Sequence, residues 1–234
     1  VRDYNEAIAA LPGTPLADEA LGGSMLYSSG TTGRPKGILR PLPETPPSET
    51  TPLFHFLAKL WQCEEGMRYL SPAPLYHAAP LRYTLGVHRL GGTVVVMEHF
   101  DPERYLQLVQ QHKITHTQLV PTMFVRMLKL PEAVRRQYDL RSLRVAIHAA
   151  APCPVEVKKQ MIAWWGPVIW EYYAGTEGNG FCYIGSADWL NHKGSVGKAV
   201  LGELRICDEE GDPLPPRQEG QVYFENGPPI NYHN

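Results

Sequence analysis

From residue 93 to 171, short apolar runs alternate with stretches in which apolar residues recur every three or four positions. TVVVM (93–97) precedes a helix opened by Asp101 and Pro102, and THTQLV (115–120) precedes a helix after Pro121. RVAIH (144–148) precedes a helix near 155–164, and PVIW (167–170) closes the series. Short strands that alternate with helices of about 10 residues predict right-handed βαβ units, hence an α/β fold whose parallel sheet is covered by helices on both faces. Upstream, SMLYS (24–28) predicts a short strand. Ser29 to Gly37 (SGTTGRPKG) is too rich in glycine and small hydroxyls for helix or strand and reads as a loop. Pro41, Pro43, Pro46, Pro47 and Pro52 then withhold N–H donors and fix φ, so no ladder is expected before a helix begins near Pro52. Beyond about 194, GELRICDEEGDPLPPRQEGQVYFENGP carries two strand-like runs around a Gly- and Pro-rich turn, without helical period. The chain thus divides into an α/β core over 1–193, which holds the 29–37 loop, and the start of a small β subdomain over 194–234.

Composition narrows the class. A chain of 234 residues with 43% hydrophobic and 20% charged residues is ordinary globular material, not a disordered or fibrous one. Lys plus Arg number 22 against 24 Asp plus Glu, and neither sign forms long blocks, so no nucleic-acid footprint is present. Cys63, Cys153, Cys182 and Cys207 form no CxxC pair and read as reduced thiols. No apolar stretch approaches the roughly 18 residues of a membrane span, and the start lacks the order of a secretory signal. The expectation is a cytoplasmic protein without an integral membrane segment. The chain begins at Val1 and ends at Asn234 without a helix cap or polar tail, as a piece cut from a longer protein would.

The chemistry concentrates in Tyr27-Ser28-Ser29-Gly30-Thr31-Thr32-Gly33-Arg34-Pro35-Lys36-Gly37. The run gathers four small hydroxyls, three glycines and a lysine behind a strand. Glycines let the backbone approach phosphate oxygens, the N–H groups and hydroxyls donate to them, and a lysine adds a point charge. A polyphosphate is the natural guest. The run is not a Walker A loop, because Pro35 stands where that motif needs glycine and Gly37 where it needs Ser or Thr. A second run, Glu171-Tyr172-Tyr173-Ala174-Gly175-Thr176-Glu177, offers an aromatic face for a base, a hydroxyl for a phosphate and a carboxylate for Mg²⁺.

These two runs resemble the phosphate loop and the aromatic-glycine-x-threonine-glutamate motif of the adenylate-forming (AMP-binding) family, which includes acyl-CoA synthetases, luciferases and peptide-synthetase adenylation domains. Ala174 replaces the usual glycine of the second motif. Three smaller matches follow the family's order: Pro74-Leu75-Tyr76-His77-Ala78, Ala149-Ala150-Ala151-Pro152, and Gly194-Ser195-Val196-Gly197-Lys198 with Gly202-Glu203-Leu204. The sequence looks most like bacterial acyl-CoA synthetases of the fatty-acid type. The resemblance implies ATP-dependent activation of a carboxylic acid to an acyl-adenylate, then thioester formation with CoA. It assigns Lys36, Thr176 and Glu177 to catalysis and Glu177 to Mg²⁺. Ser28, Ser29, Gly30, Thr31, Thr32, Gly33, Lys36, Tyr173 and Thr176 fall to the nucleotide, and His77, Ala149, Ala150 and Ala151 to the acid. Ala149 and Ala150 stand where glycines are commoner, which narrows the room beside the adenylate. By the same resemblance, the family's Thr-Gly-Asp segment and mobile C-terminal domain would follow Asn234, so this chain alone is expected to be inactive.

Two other readings use the same residues: an adenylation domain that loads a carrier-protein thiol, and a non-catalytic nucleotide-binding module. Other signals are discounted. His112 and His116 have zinc-protease spacing, but Lys113 occupies the position of the required glutamate, so a helix end entering a strand is expected. Asp208-Glu209-Glu210-Gly211-Asp212 lacks a calcium-loop pattern and reads as a hairpin turn, and Trp164, Trp165 and Trp170 read as core.

Overall fold

The computed structural model describes residues 3–28, 34–227 and 231–233. Near the start, α1 (Tyr4–Ile8) is capped by Asp3, and β1 (Leu26–Ser28) pairs antiparallel with β2 (Lys36–Leu39). Next come α2 (Pro52–Leu60), β3 (Arg68–Ser71), α3 (Ala78–Arg89) and β4 (Thr93–Val96). The alternation continues through α4 (Pro102–His112), β5 (His116–Leu119), α5 (Pro121–Leu128), α6 (Glu132–Arg135), β6 (Val145–His148), α7 (Val155–Trp165) and β7 (Ile169–Ala174). It ends in β8 (Phe181–Gly185), α8 (Ser186–Asn191), β9 (Lys198–Leu201), the hairpin β10 (Glu203–Cys207) with β11 (Gln221–Glu225), and β12 (Asn231–His233).

Helix starts follow local chemistry. The Asp101 carboxylate accepts from the Arg104 N–H at 2.7 Å and Thr51 Oγ1 accepts from the Phe54 N–H at 3.2 Å, each with proline in the first turn where no N–H is needed. α4 stops where Lys113 turns left-handed, at φ 49°, and the chain re-enters the sheet at His116 as expected.

Among the described residues the main sheet has the order β4-β3-β5-β6-β7-β8-β9. The pairs from β4 to β7 are parallel, as the βαβ pattern predicts, whereas β7–β8 and β8–β9 are antiparallel. The sheet is therefore mixed, because the short 175–180 turn lets β8 fold straight back on β7 without a crossover helix. Along β6 the side chains alternate: Ala146 packs into the core with α4, α5 and α7, while Val145 and Ile147 face Trp61 at the end of α2. Both faces are covered. β5 carries polar side chains inside the core, and they are tied down: Thr117 Oγ1 donates to the Leu70 carbonyl at 3.0 Å, and His116 Nε2 lies 3.1 Å from the Trp61 carbonyl.

Lys36 and Gly37 belong to a strand, not to the loop, because β2 is held on both sides by β1 and β12. The proposed boundary near 194 is crossed by pairing at two places. β9 completes the main sheet beside β8, and β12 returns to β2, so the strands that stand apart are β10 and β11. The 208–212 segment is a turn, with the Asp208 carboxylate accepting from the Asp212 N–H at 2.8 Å. Trp164 and Trp165 pack on the α-face core, and Trp170 joins the Trp61 cluster.

Candidate active site

β7 carries its residues out of the sheet in alternating directions. Glu171 is buried in an ion pair with Lys158 of α7. Tyr172 turns to the opposite face, 5.1 Å from and nearly parallel to Phe181 and 6.3 Å from Trp61. Tyr173 projects beyond the sheet to stack on Phe224 of β11, with ring centroids 6.2 Å apart, and remains 42% exposed. A turn follows, closed by the Gly178 N–H donating to the Gly175 carbonyl at 3.0 Å. Gly178 has φ +67°, which favours glycine, and a side chain there would displace the Arg40 guanidinium, 2.0 Å from its Cβ position. Arg40 donates from Nη2 to the Glu177 carbonyl and so ties the end of β2 to this turn.

Two residues assigned to phosphate and metal meet at a third that the sequence did not signal. Tyr232 of β12 donates its hydroxyl to Glu177 Oε1 at 3.2 Å, and Lys36 Nζ lies 5.4 Å from the centre of the Tyr232 ring. The charge of Glu177 pushes the Tyr232 hydroxyl's pKa up. Residues 55 positions apart could not be joined without the β2–β12 pairing. Ser29, Gly30, Thr31, Thr32 and Gly33, with the side chain of Ser28, lie outside the described residues.

The turn separates two hollows. The smaller, of about 210 Å³, is lined by Tyr173, Glu177, Asn179, Val222 and Phe224, with Ala174 and Gly175 as its inner wall. The larger, of about 970 Å³, runs between α2, α3 and the sheet, and Ala174, Gly175 and Thr176 form part of its rim. His77, the N-terminal residue flanking α3, lines this cavity together with Ala150. Ala149 and Ala151 do not: Ala149 is packed in the core and Ala151 is exposed away from the cavity. Of the three expected alanines only Ala150 lines the cavity, and it adopts a left-handed conformation, φ +74°. That conformation favours glycine, which gives the residue type commoner at this position a physical reason.

The cavity wall is aromatic: Trp61, Tyr69, Tyr83, Tyr172 and Phe181. Burial pushes the Tyr172 hydroxyl up to about 12 and holds Tyr69 and Tyr83 well above the usual range, so all three stay neutral. Burial lowers the His116 pKa, and since the Trp61 carbonyl can only accept, its proton sits on Nε2. No group of three His, Cys, Asp or Glu side chains that could hold a metal occurs among the described residues.

The parallel-rich sheet ends β7 in a turn that carries Thr176 and Glu177 beside an apolar cavity, and the neighbouring β1-β2-β12 sheet brings Lys36 toward Glu177 through Tyr232. The family description "AMP-binding enzyme" matches residues 21–228, and the chain belongs to that family. It is similar to a medium/long-chain-fatty-acid–CoA ligase, FadD8, of Mycobacterium tuberculosis, 30% identical over 88% of this chain and 35% of that protein. It is also similar to a feruloyl-CoA synthase of an Amycolatopsis species, 31% identical over 88% of this chain and 41% of that one. In fold it resembles the inhibitor-bound N-terminal domain of FACL13 from Mycobacterium tuberculosis, with a TM-score of 0.71 and 24% identity over 93% of this chain and 54% of that structure. The chain thus spans about two fifths or less of the length of these two ligases. No described helix is long and apolar enough to cross a membrane.

Proposed function

We propose that this chain supplies the ATP- and acid-binding part of an AMP-forming acid–thiol ligase whose substrate is a fatty or other apolar carboxylic acid. The observation that carries the reading is the wall shared at Ala174 and Gly175, followed by Thr176 at the large apolar cavity and Glu177 at the smaller hollow, where Glu177 and Lys36 converge on Tyr232. A nucleotide phosphate beside Lys36 and an acid in the cavity would face each other across Thr176.

In the first step a carboxylate oxygen attacks the α-phosphorus of ATP, the acyl-adenylate forms, and pyrophosphate leaves. The barrier is repulsion between two anions, which preorganised cations and donors lower. Lys36 provides the charge, and the hydroxyls and N–H groups of Ser28, Ser29, Gly30, Thr31, Thr32 and Gly33 are the proposed donors. Thr176 offers a hydroxyl to the α-phosphate, and the exposed part of Tyr173 a surface for adenine. Glu177 is proposed for Mg²⁺, since that ion takes one or two carboxylates and fills its remaining positions with phosphate oxygens and water, and so needs no cluster of three protein ligands. Bound there, the ion would neutralise charge on the phosphates. In the second step the CoA sulfur attacks the acyl carbon and AMP leaves as the thioester forms. Positioning suffices, and no side chain of this chain needs to act as a nucleophile. The four free cysteines suit a reducing compartment, and the reaction is proposed for the cytoplasm.

The test is pyrophosphate release by the whole protein with ATP, Mg²⁺ and straight-chain acids from acetate upward. Each CH₂ buried in the cavity contributes about 0.8 kcal/mol, so longer acids should win by decades in kcat/KM. Ala150→Leu should cut kcat/KM for long acids and spare short ones; equal loss for both would move Ala150 to the nucleotide, and release that ignores the acid would sink the reading.

A further inference from the structure

Glu177 is held at three points. Its backbone carbonyl accepts from Arg40 Nη2, its Oε1 accepts from the Tyr232 hydroxyl at 3.2 Å, and its Oε2 lies over Gly175, 2.8 Å from where a Cβ would stand on that residue. A glutamate side chain loses rotamer freedom when it is fixed, so contacts of this kind are needed to offset the loss. Arg40 fixes the backbone of the turn, and Tyr232 fixes the direction of the carboxylate.

The register of β12 puts Tyr232 where it can do this. Tyr232 pairs with Ile38 of β2, so Tyr232, Ile38 and Lys36 share one face, with Lys36 as the diagonal neighbour of Tyr232. The Lys36 Nζ, 5.4 Å from the ring centre, is close enough for the aromatic face to attract it. One side chain therefore touches both charges, the cation at its face and the carboxylate at its hydroxyl. Tyr232 is 48% exposed and belongs to none of the hydrophobic clusters of the described residues, so core packing gives no reason for an aromatic side chain here. Neither Lys36 nor Glu177 makes an ion pair among the described residues. Released from Tyr232, two opposite charges on flexible stems would be free to attract and pair. A paired Lys36 offers less charge to a phosphate, and a paired Glu177 is a poorer ligand for a cation.

We propose that Tyr232 is a positioning residue of the nucleotide site, holding the Glu177 carboxylate by its hydroxyl and Lys36 by its ring, so that the acid and the base stay apart and each keeps its charge for its own ligand. The proposal rests on the reading of Lys36 and Glu177 as ligands of phosphate and of Mg²⁺, and it adds the residue that keeps them available.

The experiment is isothermal titration of ATP into the whole protein and into Tyr232→Phe and Tyr232→Leu, without Mg²⁺ and over a series of Mg²⁺ concentrations, with thermal unfolding of each. Tyr232→Phe keeps the ring and loses the hydroxyl. The Mg²⁺ concentration for half-maximal binding should rise about three- to tenfold, the size of one hydrogen bond, while metal-free affinity stays within about twofold. Tyr232→Leu loses both contacts, so metal-free affinity should also fall, by about threefold. Glu177→Gln should then raise metal-free affinity more in the Tyr232→Leu background than in the unsubstituted protein, because it releases Lys36 from the new pair. The role is overturned if Tyr232→Phe leaves the Mg²⁺ midpoint unchanged, or if Glu177→Gln has the same effect in both backgrounds. It is overturned equally if Tyr232→Leu lowers the unfolding temperature and the ATP affinity with no change in the Mg²⁺ midpoint, as loss of strand packing alone would. An unsubstituted protein that binds no ATP would sink the adenylation reading and this role together, whereas Mg²⁺-dependent binding that ignores Tyr232 would overturn the role alone.

Discussion

His148, directly before the alanine run, is fully buried between β6 and α7, and replacing it should change how stability depends on acid. Burial, and secondly the charge of Lys158, pull its pKa down to about 3. Its ring sits 3.6 Å from Glu171 through Nε2 and edge-on to Phe124 at 5.3 Å, and neither ring nitrogen makes a hydrogen bond. Glu171 is already paired with Lys158, so a proton on His148 would gain little from it. Unfolded, the imidazole titrates near 6.5. A depressed folded pKa means that the stabilisation is present above the unfolded value and is lost as pH falls toward the folded one. At about 1.36 kcal/mol per pH unit, the unfolded chain gains about 2 kcal/mol over the native one between pH 7 and pH 5, while native His148 stays neutral. His116, whose pKa burial also lowers, adds in the same direction. Urea denaturation of wild type and His148→Gln at both pH values measures this. The absolute stability of the variant is not the readout, since it loses packing against Phe124. The difference between the two pH values should shrink by about 2 kcal/mol, and an unchanged difference would refute the reasoning.

Three further outcomes follow from particular contacts. Ala150→Gly should raise stability by about 0.5–1 kcal/mol, because relief of a left-handed alanine exceeds the added chain entropy; at this size that is a rise of about 1–4 °C in Tm, and a fall would contradict the strain. Gly197→Ala should lower the urea midpoint strongly, by about 2 kcal/mol or more. Its Cβ would come within 1.9 Å of the Tyr183 carbonyl oxygen, in a backbone conformation of φ +88°. A midpoint within error of wild type would remove this contact from the β8–β9 edge. Glu177→Gln should raise the Mg²⁺ concentration needed for half-maximal ATP binding, since an amide oxygen is the poorer ligand for a hard cation, and an identical Mg²⁺ titration would exclude Glu177 as the ligand.

The parallel part of the fold was legible because TVVV, HTQL and VAIH are short runs, the latter two fully buried, with proline- or aspartate-marked helices between them. β3 was not, since RYLS begins with an exposed arginine and lies close to α3, whose apolar period is broken by Pro80, Arg82 and Gly86. β8 (FCYIG) and β9 (KAVL) were not marked either, since both are short and pair antiparallel through turns rather than through crossover helices with a period of their own. At the site, Lys36, Tyr173, Thr176 and Glu177 could be found from local motifs, as each sits in a run whose spacing carries the chemistry. Tyr232 could not, because it reaches Glu177 only by β12 pairing with β2.

If Lys36 and the turn at Thr176–Glu177 receive the phosphates of a nucleotide, titration of Mg²⁺-ATP into this chain and into Lys36→Ala will show it. A charge-assisted phosphate contact contributes about 1.5–3 kcal/mol, or roughly 10- to 150-fold in affinity. The unsubstituted chain should bind saturably and Lys36→Ala should lose affinity by that factor, with thermal unfolding unchanged. Equal affinity of the two, or no binding by the unsubstituted chain, would contradict it.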